Sequence, residues 1–121
     1  MNDHTAQALI LTCIDFRLQE AINKWISENF APRTFDRVAL AGGVKNLDII
    51  LSQIEIALRL HHIKKVILVN HEDCGAYGEM STPEKNAKDL KNAKEKITQA
   101  YPNLEVGLYY LHLDGVFEPI N

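Results

Sequence analysis

Short apolar runs separated by longer stretches of mixed polarity set the frame of this chain. The first, Ala8-Leu9-Ile10-Leu11-Thr12-Cys13, has no helical period and is ended by the charged Asp15 and Arg17, so residues 8 to 13 read as a buried strand. From Leu18 the period changes. Leu18, Ala21, Ile22, Trp25 and Ile26 recur at i, i+3, i+4, i+7 and i+8, which predicts an amphipathic helix that stops before Pro32. Residues 37 to 41 predict a second strand, and Gly42-Gly43 turns the chain where positive φ or close backbone approach is needed. A second helix is expected from about Asn46. It carries Leu47, Ile50, Leu51, Ile54 and Leu58 on one face and Ile49, Ile56 and Leu60 on another, so it reads as covered on two sides, by a neighbouring helix or a second subunit.

Residues 65 to 70 predict a third strand, which delivers His71. Ser81-Thr82-Pro83-Glu84 opens a third helix, with Thr82 as cap, Pro83 in the first turn, Leu90, Ala93 and Ile97 as its packed side, and a lysine-rich solvated face. A last strand is expected over residues 105 to 113. The order β-α-β-α-β-α-β implies an α/β fold, with a mostly parallel sheet of about four strands and helices on its faces. Residues 1 to 121 are read as a single domain.

Composition narrows the function classes. With 46% hydrophobic and 24% charged residues the chain is of ordinary globular type, and its length suffices to bury roughly two thirds of the unfolded surface. A formal net charge of −3 without a basic stripe gives no footprint for nucleic acid. The first five residues lack a basic leader, and no apolar run approaches the roughly 18 residues of a spanning helix, so no membrane partner and a cytoplasmic location are expected.

The two cysteines, and one of five histidines, fall just past two of the apolar runs, in Cys13-Ile14-Asp15-Phe16-Arg17 and His71-Glu72-Asp73-Cys74-Gly75. Ligands of parallel α/β sheets bind beyond the carboxyl ends of the strands, so the topology brings both stretches to one edge. Cys, His and Cys form the soft set that zinc prefers, and three protein ligands leave a fourth tetrahedral position open, as in catalytic rather than structural zinc. An H-x-x-C alone carries little weight, because free cysteine is commonly a small core hydrophobe; the matched strand ends are what favour a metal. Asp15 and Arg17 can pair across a tight loop, which keeps the carboxylate ionised. Beside zinc such a carboxylate either orients a water or swings onto the metal. The plain alternative is a surface ion pair worth about 0 to 1 kcal/mol.

These motifs carry a family resemblance. Cys13-Ile14-Asp15-Phe16-Arg17 resembles the C-x-D-x-R motif of the β-class carbonic anhydrases, and His71-Glu72-Asp73-Cys74-Gly75 is similar to their H-x-x-C-G motif. Ala41-Gly42-Gly43-Val44-Lys45-Asn46 resembles, less closely, the family's arginine-asparagine-alanine-glycine-asparagine turn, and the last strand with Asp114-Gly115 falls where that family has its last strand and turn. The resemblance implies Cys13, His71 and Cys74 as ligands of Zn2+, Asp15 and Arg17 as a catalytic dyad, and a homodimer or higher homo-oligomer. The implied activity is that of a carbonic-anhydrase-like lyase: zinc-dependent hydration of carbon dioxide to bicarbonate, or of a related small heterocumulene such as carbonyl sulfide or carbon disulfide.

The chain departs from the family in three places. It reaches its first strand almost at once, so the family's N-terminal helical arm is expected to be missing. Ile14 and Phe16 stand at positions that are commonly small or polar, and the Gly42-Gly43 turn lacks the preceding arginine-asparagine pair. Phe16 and Tyr77 suit an apolar pocket for a small non-polar substrate, and equally simple packing or a subunit contact. His4, His61, His62 and His112 qualify as proton shuttles by residue type alone and are left out of the site. The competing function class is a zinc-binding module without turnover, acting in binding or regulation; an apo α/β domain with two unrelated cysteines ranks last.

Overall fold

The computed structural model describes residues 4–121. Five strands form one sheet: β1 (Ala8–Thr12), β2 (Phe35–Ala39), β3 (Lys65–His71), β4 (Glu105–Leu111) and β5 (Phe117–Pro119). Their order is β2-β1-β3-β4-β5, parallel from β2 to β4, with β5 antiparallel to β4 at the edge. Three helices connect them: α1 (Gln19–Asn29), α2 (Leu47–His61) and α3 (Pro83–Ala100).

Strand alternation divides the core into two layers. Leu9, Leu11, Val66, Leu68, Val106 and Leu108 pack with Ile50 and Ile54 of α2 and with Leu90, Ala93 and Ile97 of α3. Ile10, Ile67, Val69 and Leu111 point the other way, onto Leu18, Ile22 and Ile26 beside and within α1. Central strands buried on both faces explain why β1 and β3 read as continuous apolar runs. Helix α3 starts as its sequence demands: Thr82 Oγ1 accepts from the Lys85 N–H at 3.1 Å, and Pro83 takes the first turn, where its missing N–H costs nothing.

Several expectations shift. The second strand lies at Phe35–Ala39 rather than 37 to 41, because its pairing with β1 begins at Phe35 and takes in the charged Asp36 at the sheet's outer edge. The first strand ends at Thr12 and the last long one at Leu111, which leaves Cys13 in the following loop. The sheet has a fifth strand beyond the four expected; Phe117 in it stacks on Trp25 of α1, with ring centroids 4.8 Å apart and planes 8° from parallel. Among the described residues no neighbouring helix lies over the second apolar face of α2. Ile49, Ile56 and Leu60 are 41%, 38% and 49% exposed, so the described residues cover this helix on one side only.

Candidate metal centre

The connection after β1 runs to β2 on one side and the connection after β3 runs to β4 on the other, which makes the carboxyl ends of the adjacent β1 and β3 the topological switch point. Cys13 follows β1 directly, His71 is the last residue of β3, and Cys74 lies on the turn beyond it. All three are buried, and one donor atom from each lies within 4.8 Å of the others.

The tautomer of His71 follows from its neighbour. Its Nδ1 is 2.7 Å from the carbonyl oxygen of Glu72, which can only accept, so Nδ1 carries the proton and Nε2 presents a lone pair. That Nε2 is buried and has no hydrogen-bond partner. An unsatisfied buried nitrogen is costly, and a carbonyl bond at the other ring nitrogen is how proteins orient a metal-ligating imidazole. The residues present therefore fit a soft divalent cation. Burial pushes the Cys13 thiol up, while the His71 ring, when it carries a second proton in place of a metal, and the N–H groups of Gly42 and Asp15 outweigh it and bring the thiol down to about 6, so a thiolate forms readily here. Burial pushes the Cys74 thiol up, and the nearby Cys13 adds to this against the N–H groups of Ala76 and Tyr77.

Asp15 sits at the edge of this donor set, its Oδ2 3.8 Å from His71 Nε2. Arg17 fixes it: the backbone N–H and Nε donate to Oδ1 at 2.9 and 3.1 Å, and Nη2 donates to Oδ2 at 2.7 Å. These bonds, chiefly from the guanidinium and against some burial, hold the Asp15 carboxyl at about 2. Arg17 also reaches across to the second motif, where Nη1 donates to Asp73 Oδ2 at 3.1 Å and Nη2 to the Asp73 carbonyl at 2.9 Å. Asp73 has φ 57, a left-handed backbone that aspartate tolerates, and this turn aims its carbonyl at the arginine. One side chain thus locks together the two loops that carry the cysteine-histidine-cysteine cluster.

The structure brings Cys13, His71, Cys74, Asp15 and Arg17 to one place. It does not bring Phe16 and Tyr77 together as pocket walls: Phe16 is 87% exposed, whereas Tyr77 is buried beside the two cysteines with its hydroxyl hydrogen-bonded. Asp73, Gly42 and Asn70 were not singled out by the sequence as parts of the site. For Asn70 a signal existed, an amide at the end of the apolar run that leads to His71.

Fold and site together define an α/β protein with a buried cysteine-histidine-cysteine cluster at the switch point of a parallel sheet. The family described as putative carbonic anhydrase matches residues 3–121, and the chain belongs to that family as a divergent, β-carbonic-anhydrase-like member. An uncharacterised protein of Rickettsia conorii is 32% identical over 134 aligned positions, covering 95% of this chain and 72% of that one. Among solved structures, the carbonic anhydrase of Streptococcus mutans superposes with a TM-score of 0.67 at 14% identity, over 100% of this chain and 86% of that one. One from the work on two tetrameric β-carbonic anhydrases of Sordaria macrospora gives 0.61 at 15% identity, over 98% and 82%. At these identities the structures speak for the fold.

Proposed function

We propose that this protein binds one zinc ion through Cys13, His71 and Cys74 and hydrates carbon dioxide to bicarbonate, or acts on a related small heterocumulene. The observation that carries the reading is the buried, unpartnered Nε2 of His71, turned into the same space as two cysteine sulfurs. Bound there, zinc would supply Lewis acidity and bring a water's pKa toward about 7.

The chain's own residues would do the rest. Asp15, ionised across the neutral range, accepts a hydrogen bond at the mouth of the donor set and orients a water there. Arg17 prevents the carboxylate from turning, since its donors already occupy both oxygens. Ile14, exposed at 58%, and Phe16 flank Asp15 in sequence and offer an apolar approach to a linear, non-polar substrate. The net reaction joins a water oxygen to the substrate carbon and releases one proton. Stopped-flow hydration of carbon dioxide by zinc-loaded protein is the test. A rate well above the buffer background is expected; no rate above it would leave the competing class, metal binding without turnover.

A homodimer or larger homo-oligomer is part of the same proposal. It is supported by the uncovered Ile49, Ile56 and Leu60 face of α2, an apolar patch of the kind that marks association surfaces. Sedimentation of the parent should show a species larger than 13.7 kDa, and a monomer at high concentration would contradict it.

A further inference from the structure

Asn70 is a polar side chain, 2% exposed, near the end of an otherwise apolar strand. Alternation along β3 sends it to the α3 layer, opposite to His71. A buried amide is tolerated only when its hydrogen bonds are made, and here both ends are engaged. Oδ1 accepts from the Val44 N–H at 3.0 Å, while Nδ2 donates to Asn86 Oδ1 at 2.8 Å and to the Tyr77 hydroxyl at 3.1 Å. Because a backbone N–H can only donate, the oxygen must face Val44, and the network fixes the amide's orientation.

Helix α3 and the second motif brace the nitrogen end. Asn86 Nδ2 donates to the Thr82 carbonyl at 3.0 Å, and the Tyr77 hydroxyl donates to Asp89 Oδ2 at 2.7 Å. Burial and the Asp89 carboxylate both push the Tyr77 hydroxyl up, so it remains a donor. The oxygen end meets a turn with no room for a side chain: Gly43 has φ +56, and a Cβ there would lie 2.3 Å from Asn70 Oδ1. The same turn, with Gly42 at φ +85, directs the Gly42 N–H to Cys13 Sγ at 3.4 Å. A continuous set of contacts therefore runs from α3 through Asn70 and the glycine turn to one of the two sulfurs.

We infer that Asn70 is a positioning residue which, through the turn at residues 42–44, holds the Gly42 N–H on the Cys13 sulfur and so sets how strongly that sulfur donates to a bound metal. The inference rests on the zinc-centre reading and adds to it a residue outside the donor set. Partners that hydrogen-bond to metal ligands tune the metal, and their loss typically costs about 10- to 100-fold in affinity.

The test uses Asn70→Leu, Gly43→Ala and Tyr77→Phe in the full chain, with cobalt(II) as the spectroscopic probe. In Asn70→Leu and Gly43→Ala the sulfur-to-cobalt charge-transfer band is expected at lower energy, because the sulfur lone pairs lose the stabilising N–H. Zinc affinity falls by about 10- to 100-fold, and in the metal-free proteins the Gly42 amide proton exchanges faster than in the parent. Tyr77→Phe removes one brace but leaves the Val44 and Gly42 bonds, so it lowers the melting temperature without moving the band.

Folded Asn70→Leu or Gly43→Ala protein with the parent's band and the parent's Gly42 exchange would overturn the inference. So would a Tyr77→Phe band displaced as far as that of Asn70→Leu, or an unprotected Gly42 amide in the parent itself, a reading that needs no variant to fold. If the parent takes up no cobalt at all, the zinc-centre reading fails, and Gly42 exchange in the metal-free proteins still decides the role of Asn70.

Discussion

Replacing any one of Cys13, His71 or Cys74 by alanine is expected to leave purified protein with essentially no zinc, against about one ion per chain in the parent. The effect is large because the donors form a minimal set. Two remaining ligands do not define a tetrahedral site, and no other histidine or cysteine joins the cluster among the described residues. The three side chains are 7%, 2% and 3% exposed, so water replaces a lost donor poorly. Stability follows occupancy: a ligand at a thousand times its Kd adds about 4.1 kcal/mol to the folded state. A chelator should therefore lower the melting temperature of the parent by many degrees and leave that of each variant unmoved. Elemental analysis and paired thermal scans check both statements. A variant with the parent's zinc content, or a parent indifferent to chelation, would mean that these residues hold no metal.

What the sequence revealed of this centre depends on distance along the chain. The meeting of Cys13 with His71 and Cys74 follows from strand patterning, because two apolar runs in a parallel sheet must end at one edge. Asp15 and Arg17 are two positions apart, so their pairing was legible from local spacing. The reach of Arg17 to Asp73 spans 56 positions and depends on a left-handed backbone at Asp73, which nothing in Glu72-Asp73 announces. The Asn70 network was hidden differently: Asn70 itself stands out as an amide in an apolar run, but its partners Tyr77, Asn86 and Asp89 read as ordinary polar residues until α3 is laid over β3. Strand β5 escaped because Val116-Phe117-Glu118-Pro119 is short and ends in proline, a residue that a sheet accepts only at its edge. The apolar faces of α2 show the limit of periodicity. It identifies residues that avoid water, and the fold of one chain covers only one of the two sets.

Asp15→Asn is expected to lower carbon dioxide hydration by about 100-fold or more, the usual contribution of a positioned acid-base group, while zinc content stays at the parent level. The substitution keeps size and shape but removes the charge that both Arg17 and an oriented water require. The form of the pH profile separates this role from another. Arg17 holds the Asp15 carboxyl at about 2, so the carboxylate is charged at every pH where the folded protein is assayed. Its titration lies on the acid side, where protonation would remove the acceptor as pH falls toward about 2, far below any rise in rate near neutrality. The Asp15→Asn protein should thus show a lower plateau with the parent's midpoint. A midpoint displaced by a full pH unit or more would make Asp15 the titrating group and Arg17 a weaker partner than its hydrogen bonds to the carboxylate indicate. An undiminished plateau would reduce the pair to a structural clamp, whose work is to join the loop after β1 to the turn at Asp73.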